Sequence, residues 1–221
     1  WRMNKIQQRA LEAAKIEQKL QEARLELALH QIKPHFLQNA LMSIKVLCRT
    51  RPKEAEQAGY DFAVFLRGNM NALESAEMIL FREECKTIER YLHIEKMRFG
   101  ERLQVQWDLQ EEKFQIPPLT IQPLVENAVC HGICQKMEGG TVQIRSFRKN
   151  GEICVQILDD GAGFDTEKLK DADGIAIRNL KLRLKEFLNA DLEIESRKGE
   201  GCRQTIHIPW EETEDENYSD R

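Results

Sequence analysis

The apolar periodicity of this 221-residue chain changes sharply at Gly100, and the change constrains its architecture more than any other feature. Before it, apolar residues recur at helical spacing. After it, Leu103, Val105, Trp107 and Leu109 alternate with polar residues, as in a half-buried strand. A helical part followed by a part built on a mixed sheet is the α+β arrangement.

Within the helical part, Ile6, Ala13, Leu20 and Leu27 recur every seven residues in a stretch free of Gly and Pro, a coiled-coil pattern with an Ala-rich seam. Such a stripe needs a partner, and self-association supplies one. Leu25, Leu29, Ile32, Phe36 and Ser43 keep a helical period through Pro34, so a bend is expected there. Phe36 would face a partner, whereas His35, about 100° around the helix, would point away. Thr50-Arg51-Pro52 interrupts the pattern, and Ala55, Ala58, Phe62, Phe65 and Leu66 resume it to about Leu73. Two helices with a short connection predict an antiparallel hairpin, and two hairpins a four-helix bundle. A homodimer is therefore expected.

A further helix is predicted over 82–99, with Glu83 and Glu84 near its start. Beyond it, Leu119 to His131 reads as a helix ending at Gly132. Val142/Ile144 and Ile153/Val155/Ile157 read as strands joined at Asn150-Gly151, a hairpin signal. Residues 176–189 read as helix, and two last strands flank the turn Lys198-Gly199-Glu200-Gly201. The second part is thus an α/β sandwich.

Charge excludes little and supports no nucleic-acid partner. The formal net charge of −4 comes from the last eleven residues, whose acids Glu211, Glu212, Glu214, Asp215, Glu216 and Asp220 face one Arg, and which read as a disordered tail. No apolar run approaches the roughly 20 residues of a membrane helix. The chain starts at Trp1, as a fragment would, so a membrane segment is expected to lie outside it. The six cysteines lack a framework spacing and read as apolar packing residues of a reduced protein. Cys130 and Cys134 flank His131 without a second ligand pair.

Three motifs in the second part carry chemistry. Asn127 and His131, four apart, share one helix face in Glu126-Asn127-Ala128-Val129-Cys130-His131. Asp159-Asp160-Gly161-Ala162-Gly163-Phe164 follows an apolar strand directly, and Gly174-Ile175-Ala176-Ile177-Arg178-Asn179 opens a helix. A carboxylate at a strand end can accept from an exocyclic amine, glycines admit close backbone approach, and a helix start offers donors to phosphate. An amide oxygen suits Mg²⁺, a hard cation that keeps several waters.

In this order the motifs resemble the Bergerat-fold ATPases, and more closely the LytS/YehU-type sensor histidine kinases. The resemblance spans about residues 28–209. It includes Gln31–Asn39, the run Tyr91-Leu92-His93-Ile94-Glu95-Lys96-Met97-Arg98-Phe99, Ile116-Pro117-Pro118-Leu119, Gln122-Pro123-Leu124-Val125-Glu126-Asn127-Ala128 and Gly199-Glu200-Gly201. It implies a dimerisation and phosphoacceptor domain over 29–78 and an ATP-binding catalytic domain over 79–210; the heptads put a coiled-coil signalling helix over 1–28 before them, and the acids a tail over 211–221 after them.

The same resemblance implies that His35 accepts the γ-phosphoryl group of ATP, that Asn127 ligates Mg²⁺ and that His131 lies near the phosphates. Asp159 would receive the adenine amine, Gly161 and Gly163 would shape the pocket wall, and Gly174 and Asn179 would belong to the phosphate end beneath a lid over roughly 165–176. Glu126, beside Asn127, is a candidate base. The product would pass to an aspartate on a response regulator receiver domain, and the chain would be the cytoplasmic portion of a bacterial plasma-membrane protein. Lys33, Gln38, Ala176 and Cys202 depart from the usual Asn, Phe, Gly and Thr. Two alternatives follow: a catalytically impaired dimeric nucleotide-binding scaffold, and a Bergerat-fold ATPase or serine kinase that does not use histidine.

Overall fold

A computed structural model describes residues 34–74, 77–165 and 175–210. The coiled-coil heptads, Lys33, most of the expected lid and the acidic tail lie outside these residues. The chain divides into two compact units between Ser75 and Ala76.

The first unit is an antiparallel pair of helices, α1 (Pro34–Thr50) and α2 (Pro52–Glu74). Pro52 has no N–H to donate, and a proline is tolerated only at a helix start, so the chain turns there and begins again. The seam is aromatic: the Phe36 ring lies 6.3 Å from that of Phe62 and 5.3 Å, edge-on, from that of Phe65. Phe36 and Ala40 are buried on α1, whereas Leu41, Met42 and Val46 are 56–60% exposed. The helix thus carries a second apolar stripe that this hairpin does not cover.

In the second unit, α3 (Phe81–Phe99) and α4 (Gln122–Asn127) pack on a five-stranded sheet. Its strands are β2 (Leu103–Leu109), β4 (Gly140–Lys149), β5 (Glu152–Asp159), β6 (Asp191–Arg197) and β7 (Gly201–Pro209). The order is β2-β4-β5-β7-β6, with β2 parallel to β4 and the other neighbours antiparallel. A small antiparallel ladder joins β1 (Ile79–Leu80) to β3 (Gln115–Ile116). The last helix is α5 (Ile175–Leu188). The architecture is α+β, as expected, and the mixed sheet follows the predicted strands.

The β4–β5 hairpin turns through Asn150 and Gly151, both at positive φ (54° and 77°), the geometry that Asn-Gly favours and that matches the twist of the strands. One face of the sheet forms the core. Ile144 pairs with Ile157, Ile153 with Ile208 and Val155 with Ile206, and all are fully or nearly fully buried. The opposite face carries Glu152, Cys154, Gln156, Thr205 and His207, because side chains alternate along a strand. Among the described residues, no helix is long and apolar enough to cross a membrane.

Candidate functional site

Strand β5 leaves the core at its C-terminal end, and Asp159 is its last residue. As the final inward position it follows Ile153, Val155 and Ile157, so it is only 7% exposed. Burial, reinforced by the neighbouring Asp160, pushes its carboxyl up from 3.8 to about 6, although backbone N–H groups of Gly161 and Cys202 pull the other way. Gly161 N–H donates to Asp159 Oδ1 at 3.0 Å.

The chain that faces this carboxylate is α4 and its continuation. After Asn127 the helix widens into a π-turn over Ala128–Gly132. Such turns alter the register of the residues that follow, and they recur at functional sites. Here the turn presents Gly132 to Asp159. A β-carbon at 132 would overlap the carboxylate, and one at 161 would overlap the backbone of Gly132. The loop after β5 is pinned to the turn by Ala162 N–H donating to the Gly132 carbonyl at 3.1 Å. Gly163 follows at φ 56°, a conformation that side chains rarely adopt.

These elements enclose a cavity of about 340 Å³. Asn127, Ala128, His131 and Gly132 line it from the helix, and Asp159, Gly163 and Phe164 from β5 and its loop. Ala176 and Ile177 come from α5, Ile194 from β6, and Cys202 and Gln204 from β7. A mostly apolar slot with one buried carboxylate at its base suits a flat, amine-bearing heterocycle, since the carboxylate accepts from the amine. The amide of Asn127 at the rim adds an uncharged oxygen of the kind a hard cation takes.

A buried carboxylate from another helix holds the rim. Glu84 Oε1, on α3, accepts the backbone N–H groups of Ile121 (2.6 Å) and Gln122 (2.9 Å). These are orphan donors at the start of α4, so Glu84 caps the helix that carries Asn127. Burial raises the Glu84 carboxyl from 4.5 to about 7, while those N–H groups and the positive charge of Arg183 act in the opposite direction. Arg183, on α5, donates to the Pro118 carbonyl in the loop leading into α4.

Residues 23–103 match the histidine kinase family, and residues 118–212 match the family of histidine kinase-, DNA gyrase B- and HSP90-like ATPases. Protein YwpD of Bacillus subtilis is 36% identical across 87% of this chain and 73% of its own length. The chain belongs to the histidine kinase family. Sensor histidine kinase BtsS of Escherichia coli K12 is 32% identical over 86% of this chain, and sensor protein LytS of Bacillus cereus is 30% identical over 89%. The chain spans only 34% and 36% of those two sensors.

Of the residues that the family resemblance singled out, the fold brings Asn127, His131, Asp159 and Gly163 to one cavity, with Gly161 packed beneath Asp159. Two others are placed differently. Glu126 accepts from Gln122 Nε2 at 2.9 Å and does not line the cavity. Asn179 is exposed on α5, away from the lining. Gly174 and the lid residues Lys168, Lys170, Asp171 and Asp173 lie outside the described residues. His35 is exposed in the first turn of α1, with the Asn39 amide nitrogen 3.1 Å from its Nδ1 and 3.2 Å from its Nε2.

Sequence pattern assigns no site role to Glu84, Gly132 or Gln204. Glu84 had a signal: it stands three residues after Phe81 and four before Ile88, on the apolar stripe of its helix. An acid in that position must find a buried partner. The pattern around Gly132 marks only a helix end, and nothing local marks Gln204, whose Nε2 donates to the Leu124 carbonyl at 3.3 Å from β7.

Proposed function

We propose that this chain is the transmitter portion of a sensor histidine kinase that binds ATP in the cavity, phosphorylates His35 and passes the phosphoryl group to an aspartate of a response regulator receiver domain. The observation that carries this reading is the convergence of Asn127, His131 and Asp159 on one cavity of a family member that also displays an exposed histidine on a helical hairpin. The proposed division keeps 1–28 as signalling helix, 29–78 as dimerisation and phosphoacceptor domain, 79–210 as catalytic domain and 211–221 as tail. The uncovered Leu41, Met42 and Val46 support a homodimer in which two hairpins form a four-helix bundle. The chain would be the cytoplasmic part of a bacterial plasma-membrane protein, anchored through segments outside it.

In the proposed step, Asp159 accepts from the adenine amine and the apolar lining holds the ring. Asn127 would hold Mg²⁺, which when bound neutralises phosphate charge, and His131 would stand near the phosphates. Gly174 and Asn179 would close the phosphate end, with the described position of Asn179 requiring a shift of the start of α5. An imidazole nitrogen of His35 then attacks the γ-phosphorus. The bond from that phosphorus to the β–γ bridging oxygen breaks, and ADP leaves with the electron pair. The imidazole proton passes to a base; for Glu126 to serve, it must turn away from Gln122. Positioning supplies most of the rate in such transfers.

The test is incubation with γ-labelled ATP and Mg²⁺. Acid-labile label should appear on the parent chain and vanish in both His35→Gln and Asn127→Ala. Labelling of His35→Gln at the parent level would sink the proposal. Ala176, which lines the cavity where the related kinases usually have glycine, favours one other reading, a scaffold that binds nucleotide without turnover. Bound ADP without any label identifies it. Acid-stable label lost on replacing a serine would instead identify a kinase that does not use histidine.

A further inference from the structure

On the sheet face opposite the core, three adjacent strands bring unlike donor groups together. Cys154 on β5 stands directly across from His207 on β7, and Glu152, two residues before Cys154, shares its face. His207 Nδ1 lies 3.0 Å from a Glu152 carboxylate oxygen and 3.9 Å from Cys154 Sγ. One donor atom from each of the three residues lies within 4.8 Å of the others. Ligand atoms around a tetrahedral zinc ion, with bonds of about 2.0 Å to nitrogen or oxygen and about 2.3 Å to sulfur, are separated by similar distances.

A fourth residue orients the ring. Glu193, on β6, places a carboxylate oxygen 3.5 Å from His207 Nε2. A neutral imidazole has one N–H, and in the metal-free cluster it sits on Nδ1, donating to the Glu152 carboxylate, which can only accept. An ion bound between Glu152 and Cys154 takes the place of that hydrogen, which moves to Nε2 on the Glu193 side. A histidine that binds metal through one nitrogen while its other N–H faces a carboxylate is the usual supporting arrangement of metal centres. The resulting sulfur, nitrogen and oxygen set excludes Mg²⁺ and Ca²⁺, which take oxygen, and selects a borderline-soft ion.

We propose that Glu152, Cys154 and His207 form a site for one zinc-class divalent ion, with water in the fourth position and Glu193 fixing the His207 tautomer. Binding exchanges the thiol proton of Cys154 for a metal–sulfur bond, and the proton leaves to solvent. Burial holds this thiol above its usual range, so the ion is needed to draw the thiolate form. The site lies at the start of β5, whereas Asp159 closes its other end on the opposite face. Occupancy and nucleotide binding are therefore separable.

The test uses the full chain, stripped with a chelator and kept reduced with a phosphine, and titrated with Co²⁺. One Co²⁺ per chain should bind with a thiolate-to-metal charge-transfer band in the near ultraviolet, and Zn²⁺ should displace it. Cys154→Ser and His207→Gln should each abolish the band while ADP binding persists as the check on folding. The double variant Cys130→Ser/Cys134→Ser should keep the band, and Glu193→Gln should keep it with affinity lowered by roughly tenfold. Absence of the band at a hundredfold excess of Co²⁺, or its survival in Cys154→Ser, would overturn the proposal and leave His207 as a partner of two carboxylates only. If Cys154→Ser does not fold, His207→Gln, at a half-exposed position, decides alone.

Discussion

Gly132 lies so close to the Asp159 carboxylate that a β-carbon at 132 would occupy the carboxylate's place. The backbone of Gly132 has φ −86°, outside the left-handed region that favours glycine. Its methyl group must instead displace Asp159. Gly132→Ala is therefore expected to weaken ADP binding by at least tenfold while altering the unfolding midpoint little, as calorimetric titration and thermal melts would measure. Unchanged ADP affinity would show that Asp159 is not the adenine partner.

Asp159 also predicts a pH dependence. Its carboxyl is raised to about 6, and the ionised form is the better acceptor for an exocyclic amine. ADP affinity should thus fall as pH drops through about 6, and Asp159→Asn should bind more weakly with little dependence on pH in that range. For stability the sign is opposite: a raised acid contributes stability below its unfolded value that is lost as pH rises through its folded one. ADP-induced shifts of the melting temperature between pH 5 and 8 separate the two effects.

Glu84 offers a test in which stability and binding move together. Glu84→Ala leaves the N–H groups of Ile121 and Gln122 without their acceptor and should cost roughly 2–4 kcal/mol. Glu84→Gln keeps an acceptor oxygen and should recover most of that loss and of the ADP affinity. Because the Glu84 carboxyl is raised from 4.5 to about 7, its favourable contribution is complete below 4.5 and fades as pH rises through about 7. The denaturant midpoint of the parent should show this trend relative to Glu84→Gln. Parallel pH profiles for the two proteins would exclude Glu84 as its source.

On the helical hairpin, two neighbouring residues should differ sharply in what they contribute to stability. Phe36→Ala removes a buried ring that meets Phe62 and Phe65 and should destabilise the hairpin by about 3–5 kcal/mol. His35→Gln, one residue earlier on the exposed side, should leave the melting temperature within about 1 °C of the parent. A comparable loss in both variants would mean that His35 is held by packing.

Much of the fold was legible because it rests on local rules. Periodicity marked α3 and β2 to within a residue or two, since a half-buried element repeats its apolar face. Asn150-Gly151 placed a hairpin because few other residues adopt two successive positive φ values. Less legible was α4, read as one helix from Leu119 to His131. It begins only at Gln122, after Leu119 at φ 58°, and passes into the π-turn at Ala128. Hydrophobic spacing does not encode that change of register.

Sequence alone determined the class of the fold, the histidine beside Pro34, and the nearness of Asn127 to His131, all consequences of residues near each other along the chain; the π-turn between those two sets how they face the cavity. Tertiary structure alone decided which segments meet to build the cavity and hold the helix at its edge. Gly132 had to meet β5, Glu84 had to reach across from α3 to cap α4, and Gln204 had to arrive from β7. It likewise left Glu126 and Asn179 outside the cavity. The physical reason is range. Backbone preference and side-chain period act over a few residues, whereas a buried polar group needs partners, and a close-packed glycine needs a neighbour, from segments that only the folded core brings together.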